Sequence, residues 1–377
     1  MRIQVVDPAA YTSPYDHALC SALARAGAEV TLLTTRFPYG DVPEPDGYEL
    51  RHAFYRRPGR LTGRRTARVA QHLPDMLRCL RASAREADVI HFQWLPVQQL
   101  DAWLLPRDRP MVMTAHDVLP REAGRSQQTA QRRLYERMEA VLVHSRHGAR
   151  RLREEVGVPS ARVHVIPHGG LHHLAERPQD ERLPPELEGG GRGPVVLFFG
   201  LLRPYKGLDV LLDAWQRAHL PAGAELWVVG MPRMDIGALQ AAAPASVRWV
   251  PRFVSDAEAA ATLRRADLMV LPYREIDQSG VLAAALAFGV PALVSAVGGF
   301  PEVAALGAAE TVPPGDAGAL ARELSALLTD PPRRAALSLA ARAAVASDGP
   351  LGWDAIARQT LARYDEVTRG APRPITA

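Results

Sequence analysis

Residues 198–215 read FFGLLRPYKGLDVLLDAW. The two phenylalanines close an apolar run that starts at Val195, and Gly200 ends it. After a polar loop, Gly207 opens a segment whose leucines and Trp215 recur at helical spacing. A buried strand, a loop and an amphipathic helix are therefore expected in that order. The loop presents Arg203 and Lys206 just ahead of a helix N-terminus. Fixed positive charge beside unpaired N–H groups is what a diphosphate requires. On spacing alone, two salt-bridging surface residues at a common turn remain the alternative.

The chain has 45 Lys and Arg residues among its 377, yet Lys206 is the one lysine. Arginine serves wherever a generic positive charge will do. A lone lysine points to a position that needs a compact ammonium, chance survival being the alternative.

Outward from this stretch the strand–helix rhythm repeats. Before it come apolar runs at 3–7, 29–34, 88–92, 111–115, 140–144 and 163–166, with helical patterns at 15–27, 66–85, 126–138 and 146–156. After it come strands at 225–229, 247–250, 268–271 and 292–295, and helices at 256–265 and 280–288, with three closing helices near 316–328, 331–346 and 351–368. Short apolar strands alternating with helices predict parallel sheets covered on both faces. Residues 170–193 are polar and rich in Pro and Gly, and read as a linker. The expectation is α/β: two Rossmann-like, doubly wound domains facing each other across a cleft. The first spans 1–169, the linker 170–193 and the second 194–350. A last helical piece, 351–377, is able to cross back to the first domain.

A hydrophobic fraction of 47% is enough for two cores and argues against disorder. Two cysteines, Cys20 and Cys79, make no disulfide framework, and a reduced compartment follows. No signal peptide or 18-residue apolar stretch is read, so the expected location is cytoplasmic. Residues 56–68, RRPGRLTGRRTAR, hold six arginines and no acid. They read as a solvated loop or as a patch for an anionic membrane face or a phosphorylated acceptor. Without interleaved aromatics or a nucleic-acid module, nucleic acid is not an expected partner.

A second candidate site lies at 271–303, LPYREIDQSGVLAAALAFGVPALVSAVGGFPEV. A strand ends at Leu271. The loop that follows carries Glu275, Asp277 and Ser279, and a helix starts at Gly280 and Val281. A further strand ends near the flexible Gly298–Gly299 turn, followed by Glu302. Each turn is ordinary alone; two at strand ends in one domain suggest a second phosphate-facing edge. No G-x-G-x-x-G follows the first strand and no P-loop is present, which disfavours dinucleotide oxidoreductases and P-loop kinases. No Asp-x-Asp supports a metal clamp, and no metal ligands are assigned.

These segments resemble family 4 of the retaining glycosyltransferases, enzymes of the GT-B architecture. RPYKG resembles that family's Arg-x-x-Lys-Gly donor-phosphate motif, and GVP at 289–291 and VGGFPE at 297–302 are also similar. TAHDVLP at 114–120 resembles its Thr-x-His-Asp segment, and IPHGG at 166–170 its Ile-Pro-Asn-Gly segment, with His168 in place of Asn. The resemblance implies a metal-independent transferase of hexosyltransferase type. It would move a sugar from a UDP- or GDP-linked donor, with retention, to a small molecule, glycan or lipid-linked sugar. Arg203 and Lys206 would hold the pyrophosphate, and Gly200, Glu275, Asp277, Ser279, Gly280, Val281, Gly298, Gly299 and Glu302 would complete the donor site. His116, catalytic with Arg203 and Lys206, would face the reacting sugar.

Two departures stand out. The family's paired glutamates fall on Ile276 and Ala284 here, so the ribose contact comes from elsewhere or is lost. The usual Gly-Gly after the first strand is replaced by DPAAYTSPYDHAL at 7–19, where Tyr15, Asp16 and His17 are candidate acceptor contacts. A sugar-nucleotide epimerase and a non-catalytic relative that binds without turnover remain as rival readings.

Overall fold

The computed structural model describes residues 1–56, 65–105, 109–119, 124–191 and 193–370, leaving aside the side chains of 65–69 and 125. It resolves into two units, Met1–Pro167 with Trp353–Ala377, and His168–Gly352.

The first unit is built on a seven-stranded, wholly parallel sheet. Its strands are β1 (Arg2–Asp7), β2 (Glu29–Thr34), β3 (Glu49–His52), β4 (Val89–Phe92), β5 (Met111–Thr114), β6 (Ala140–Val143) and β7 (Val163–Val165), in the order β3-β2-β1-β4-β5-β6-β7. Side chains alternate across a strand, so each strand feeds two cores. Val6, Ile90, Phe92, Met111, Met113, Val141 and Val143 face one side. Ile3, Val5, Val89, Val112, Ala140 and Leu142 face the other. The helix Arg65–Glu86 contributes Met76, Cys79 and Leu80 to the first core. The second core is closed by the helices Ser13–Arg25 and Trp353–Gly370, through Leu19, Leu23, Trp353, Ile356 and Tyr364. The last helix thus belongs to the first sheet. A buried polar contact pins it there: the Tyr364 hydroxyl meets His91 Nδ1 at 2.5 Å, and the Thr114 hydroxyl meets His91 Nε2 at 2.8 Å. Burial holds His91 down at about 3, so the imidazole is neutral.

The second unit has six parallel strands: β8 (Val195–Phe199), β9 (Glu225–Val229), β10 (Val247–Val250), β11 (Leu268–Leu271), β12 (Ala292–Ser295) and β13 (Glu310–Val312). Their order is β10-β9-β8-β11-β12-β13. Most of these strand residues are fully buried, which is why they read as apolar runs without alternation. Residues 171–187 lie on this unit. Leu174 joins its core from the short helix His172–Ala175, and Leu187 joins it near β10.

Both sheets reverse their winding once, between β1 and β4 in the first unit and between β8 and β11 in the second. Crevices at the carboxyl ends of the strands flanking such a reversal are where doubly wound sheets bind ligands. Among the described residues, six modest elements escaped the sequence reading: β3, β13 and the helices Gln98–Leu104, His172–Ala175, Gly237–Ala242 and Phe300–Ala304. β3, with sequence ELRH, is a charged edge strand, and the others are only three to seven residues long. Such segments carry little periodic signal.

Candidate active site

In the second unit the β8/β11 reversal is shaped by close backbone approaches. Gly200 follows β8 with a left-handed φ of +98°, and a Cβ there would come within 3.0 Å of Lys206 Nζ and 3.1 Å of Val281 Cγ2. Three residues expected at the donor site therefore meet at one point, with the ammonium beside the first turn of the helix Gly280–Phe288. Lys206 is only 6% exposed, and its Nζ lies 5.1 Å from the ring centre of Tyr273, just past β11. A charge held in so little water acts on its surroundings with weak screening. Arg203 is half-buried on the same loop and makes no ion pair among the described residues.

The loop that carries them is locked from two sides. Gly207 has φ +69°, and a Cβ on it would lie 2.1 Å from the Pro272 carbonyl. Arg274 reaches back over the loop. Its backbone N–H donates to the Tyr205 carbonyl at 2.7 Å, and its guanidinium donates to the Pro204 carbonyl at 2.8 Å and to both carboxylate oxygens of Asp209. That pair holds Asp209 below the usual carboxylate range and raises Arg274.

The other expected donor residues border the same strand ends. Ser279 caps the helix Gly280–Phe288 by accepting from the Leu282 N–H at 3.3 Å. Gly298 has φ +58°, and a Cβ on it would fall 1.8 Å from the Ile276 carbonyl, so this turn sits against the 272–279 loop. Gly299 precedes the short helix Phe300–Ala304, with Glu302 half-buried in its first turn. Asp277 is buried and Glu275 exposed. Ile276 and Ala284, at the positions of the absent glutamates, are buried apolar residues.

In the first unit the β1/β4 reversal carries aromatic and polar side chains. Tyr11, after β1, stacks on Trp94, after β4, with ring centres 4.3 Å apart. His116, past β5, is 3% exposed. Its Nε2 is 3.0 Å from Gln93 Oε1 and its Nδ1 is 3.1 Å from His144 Nε2, and His144 Nδ1 is 3.0 Å from the Ile166 carbonyl. The Tyr15 ring packs edge-on against both imidazoles and against Trp353. A small pocket beside His116 is lined by Trp94, Gln98, Thr114, Asp117 and Gln131. The side-chain oxygens of Gln98 and Gln131 are buried without hydrogen-bond partners.

Of the three candidate acceptor residues, Tyr15 alone lies against His116. All three are buried; Asp16 and His17 each bond inside the unit, and Asp16 Oδ2 is buried without a hydrogen-bond partner. Asp16 accepts from the Thr12 hydroxyl at 3.0 Å, and His17 Nδ1 meets the Tyr48 hydroxyl. Burial, then the neighbouring Asp7, pushes the Asp16 carboxyl far above its ordinary range. Burial likewise lowers His17 to about 4. Ser145 caps the helix Arg146–Arg151 by accepting from the Gly148 N–H at 3.0 Å. The Arg-rich stretch 56–68 falls, for residues 57–64, outside the described residues.

Sequence reading missed Gln93, His144, Trp94 and Tyr273. A polar residue at the carboxyl end of an apolar strand is a signal that Gln93 and His144 share with His116. The other two carry no local signal.

Residues 15–169 match the family described as Glycosyltransferase Family 4, and residues 193–330 the family described as Glycosyl transferases group 1. The chain belongs to the family 4 type of GT-B glycosyltransferases. It is 28% identical to a D-inositol 3-phosphate glycosyltransferase of Xylanimonas cellulosilytica, over 94% of this chain and 91% of that one. It is 27% identical to a GDP-mannose:glycolipid 4-beta-D-mannosyltransferase of Xanthomonas campestris pv. campestris, over 59% of this chain and 66% of that one. In fold it is similar to sucrose-phosphate synthase from Thermosynechococcus elongatus, with TM-score 0.71 at 21% identity over 98% of this chain and all of that one. The glycosyltransferase is an enzyme that uses a nucleotide sugar donor, and the epimerase and non-catalytic readings are not favoured. Among the described residues, no helix is long and apolar enough to cross a membrane.

Proposed function

We propose that the β8/β11 crevice holds the diphosphate of the donor, with Lys206 and Arg203 as its cations and no metal. One observation carries this reading: the buried Lys206 ammonium sits against Gly200 and the start of the helix Gly280–Phe288. As the glycosidic bond stretches, its oxygen gains negative charge. An ammonium and helix N–H groups already in place stabilise that charge without reorganising. Gly200, Ser279, Gly280, Val281, Gly298 and Gly299 shape the crevice. Asp277, Glu275 and Glu302 stand at its rim toward the ribose and the sugar.

The sugar gains oxocarbenium character, as in glycoside cleavage, and His116 faces it. The acceptor hydroxyl attacks from the side the leaving group quits. Its oxygen bonds to the anomeric carbon, its proton passes to the departing phosphate, and configuration is retained. The relatives' names, one for an inositol phosphate and one for a glycolipid, support an acceptor that is either a small phosphorylated polyol or a lipid-linked sugar. The six arginines of 56–68 favour a lipid-linked acceptor met at an anionic membrane face.

The test is a panel of UDP- and GDP-sugars, following release of nucleoside diphosphate with and without acceptor, in EDTA and in magnesium. The reading expects acceptor-dependent release that survives EDTA. Release that needs a divalent ion overturns the metal-free site. Binding of donor diphosphate unchanged by Lys206→Ala and Arg203→Ala overturns the phosphate assignment.

A further inference from the structure

The three contacts through the imidazoles of the first unit impose a proton count. The Ile166 carbonyl can only accept, so His144 Nδ1, 3.0 Å away, carries a proton. In neutral His144 the other nitrogen, Nε2, is then a lone pair. It lies 3.1 Å from His116 Nδ1, which must therefore be the donor. Neutral His116 is left with a lone pair at Nε2, facing the Gln93 carboxamide at 3.0 Å. A carboxamide oxygen there would set acceptor against acceptor.

A half-turn of the Gln93 amide removes the conflict and presents N–H to His116. Amide ends are interchangeable in shape, so hydrogen-bond accounting decides between them. The half-turn costs little on the far side. There the amide nitrogen is 3.3 Å from both nitrogens of His91, which are already engaged by Tyr364 and Thr114. The alternative keeps the oxygen toward His116 and places an extra proton, hence a net charge, on two imidazoles packed under Tyr15. Turning the amide instead satisfies all three contacts with both imidazoles neutral and no added proton.

We propose that His144 is a positioning residue that fixes His116 as the Nδ1–H tautomer. The chain of donors runs one way, from Gln93 through His116 and His144 to the backbone at Ile166. It ends on a carbonyl just past β7, so the direction is set by the fold and not by the substrate. The Tyr15 ring, edge-on to both imidazoles at 4.9 and 5.3 Å, holds their planes. His144 acts on the reaction only through His116, and that kinetic part rests on the role given to His116 above.

Selective 15N labelling of histidine, read by NMR at neutral pH, tests the tautomer directly in the unliganded enzyme. The expected result is a protonated Nδ1 and an unprotonated Nε2 on His116. In His144→Phe, which keeps a ring but offers no acceptor, His116 is expected to shift toward Nε2–H. His144→Gln, whose Oε1 reaches the position of the lost Nε2, is expected to restore the original pattern. A wild-type His116 that is Nε2–H, or protonated at both nitrogens, overturns the proposal. So does a tautomer unchanged by His144→Phe. Kinetics give the second readout: kcat falls about 10–100-fold in His144→Phe, the scale of a lost outer-shell partner, with donor KM unchanged and recovery in His144→Gln. A tautomer shift with kcat intact leaves His144 as the positioning residue and removes His116 from the reaction instead.

Discussion

At the β8/β11 reversal the polypeptide backbone does the shaping. Glycines 200, 207, 230 and 298 each stand where a methyl group would press on a carbonyl or on Lys206, and one buried ammonium provides charge. At the β1/β4 reversal, among the described residues, no such approaches define the site. Side chains do: Tyr11 on Trp94, Tyr15 on His116, and imidazoles bonded in series. The first kind of site cannot drift without moving strands, which suits the invariant diphosphate of a donor. The second can be reshaped one side chain at a time, which suits acceptors that differ between enzymes. Mutations should therefore act differently in the two places: all-or-none beside β8, graded beside β1.

The largest expected effect is that of Lys206→Ala. Losing a preorganised donor to a developing oxyanion costs about 10²–10³ in kcat. Steady-state rates with saturating donor check this, and a loss below tenfold would move the leaving-group role away from Lys206. Arginine should rescue poorly, since a planar fork would replace a compact ammonium that is buried close to Gly200.

Next comes Gly298→Ala. The new methyl would meet the Ile276 carbonyl at 1.8 Å in a left-handed backbone. Left-handed strain of roughly 1–2 kcal/mol adds to roughly 1–3 kcal/mol for overpacking. The total expected loss, read from denaturant midpoints, is about 2–5 kcal/mol by those two contributions. Gly27→Ala in the first unit is the control: φ is +90° but nothing lies within 4 Å of the added methyl. It should cost only the strain. Equal losses at the two positions would show that close approach at Gly298 contributes nothing.

The same contrast explains what could be read from sequence. The strand–helix alternation and the RPYKG loop were legible because burial on both faces writes apolar runs, and a lone lysine is visible in any composition. The crevice glycines were legible as turns, though not as contacts. The Gly207–Pro272 approach joins positions 65 residues apart, and Gly298–Ile276 depends on a loop path that no local pattern encodes. In the first unit, Tyr15, Asp16 and His17 stood out as unusual residues after the first strand. Their helix, however, turns Asp16 and His17 inward to Thr12 and Tyr48. Gln93 and His144 gain meaning only from the sheet order that brings β4, β5 and β6 side by side.

A third prediction concerns Asp16, next to Tyr15 in the helix Ser13–Arg25 of the first unit. Its carboxyl titrates far above its unfolded value because it is buried and faces Asp7. The folded chain thus holds a proton that the unfolded chain releases above about pH 3.9. Stability from this group is complete below that pH and declines as pH rises toward the folded pKa. The limiting slope is about 1.4 kcal/mol per pH unit for one proton. Asp16→Asn keeps the shape and cannot ionise, so the difference between wild type and variant should shift in favour of the variant from pH 4 upward. A difference that stays flat between pH 4 and 7 would mean that Asp16 is ionised in the folded chain.

Arg274→Ala should have the smallest effect on stability. The guanidinium and Asp209 are 43% and 52% exposed, so water and salt screen the pair, and its loss is worth about 0.2–1 kcal/mol. Its function is expected to be local. Arg274 also donates to the Pro204 carbonyl, and so holds the loop that carries Arg203 and Lys206. Its own backbone N–H still bonds Tyr205 in the alanine variant, so the loop should loosen without leaving. Donor KM is expected to rise a few-fold while kcat is nearly kept, because the buried Lys206 stays seated against Gly200 and Tyr273. High salt should produce a weaker version of the same change in the wild type, since it screens the exposed pair and spares the buried ammonium. A fall in kcat as large as that of Lys206→Ala would mean that the loop, and not the glycine-lined strand end, positions the ammonium. The contrast between a backbone-built and a side-chain-built crevice would then fail on the side where it is drawn most sharply.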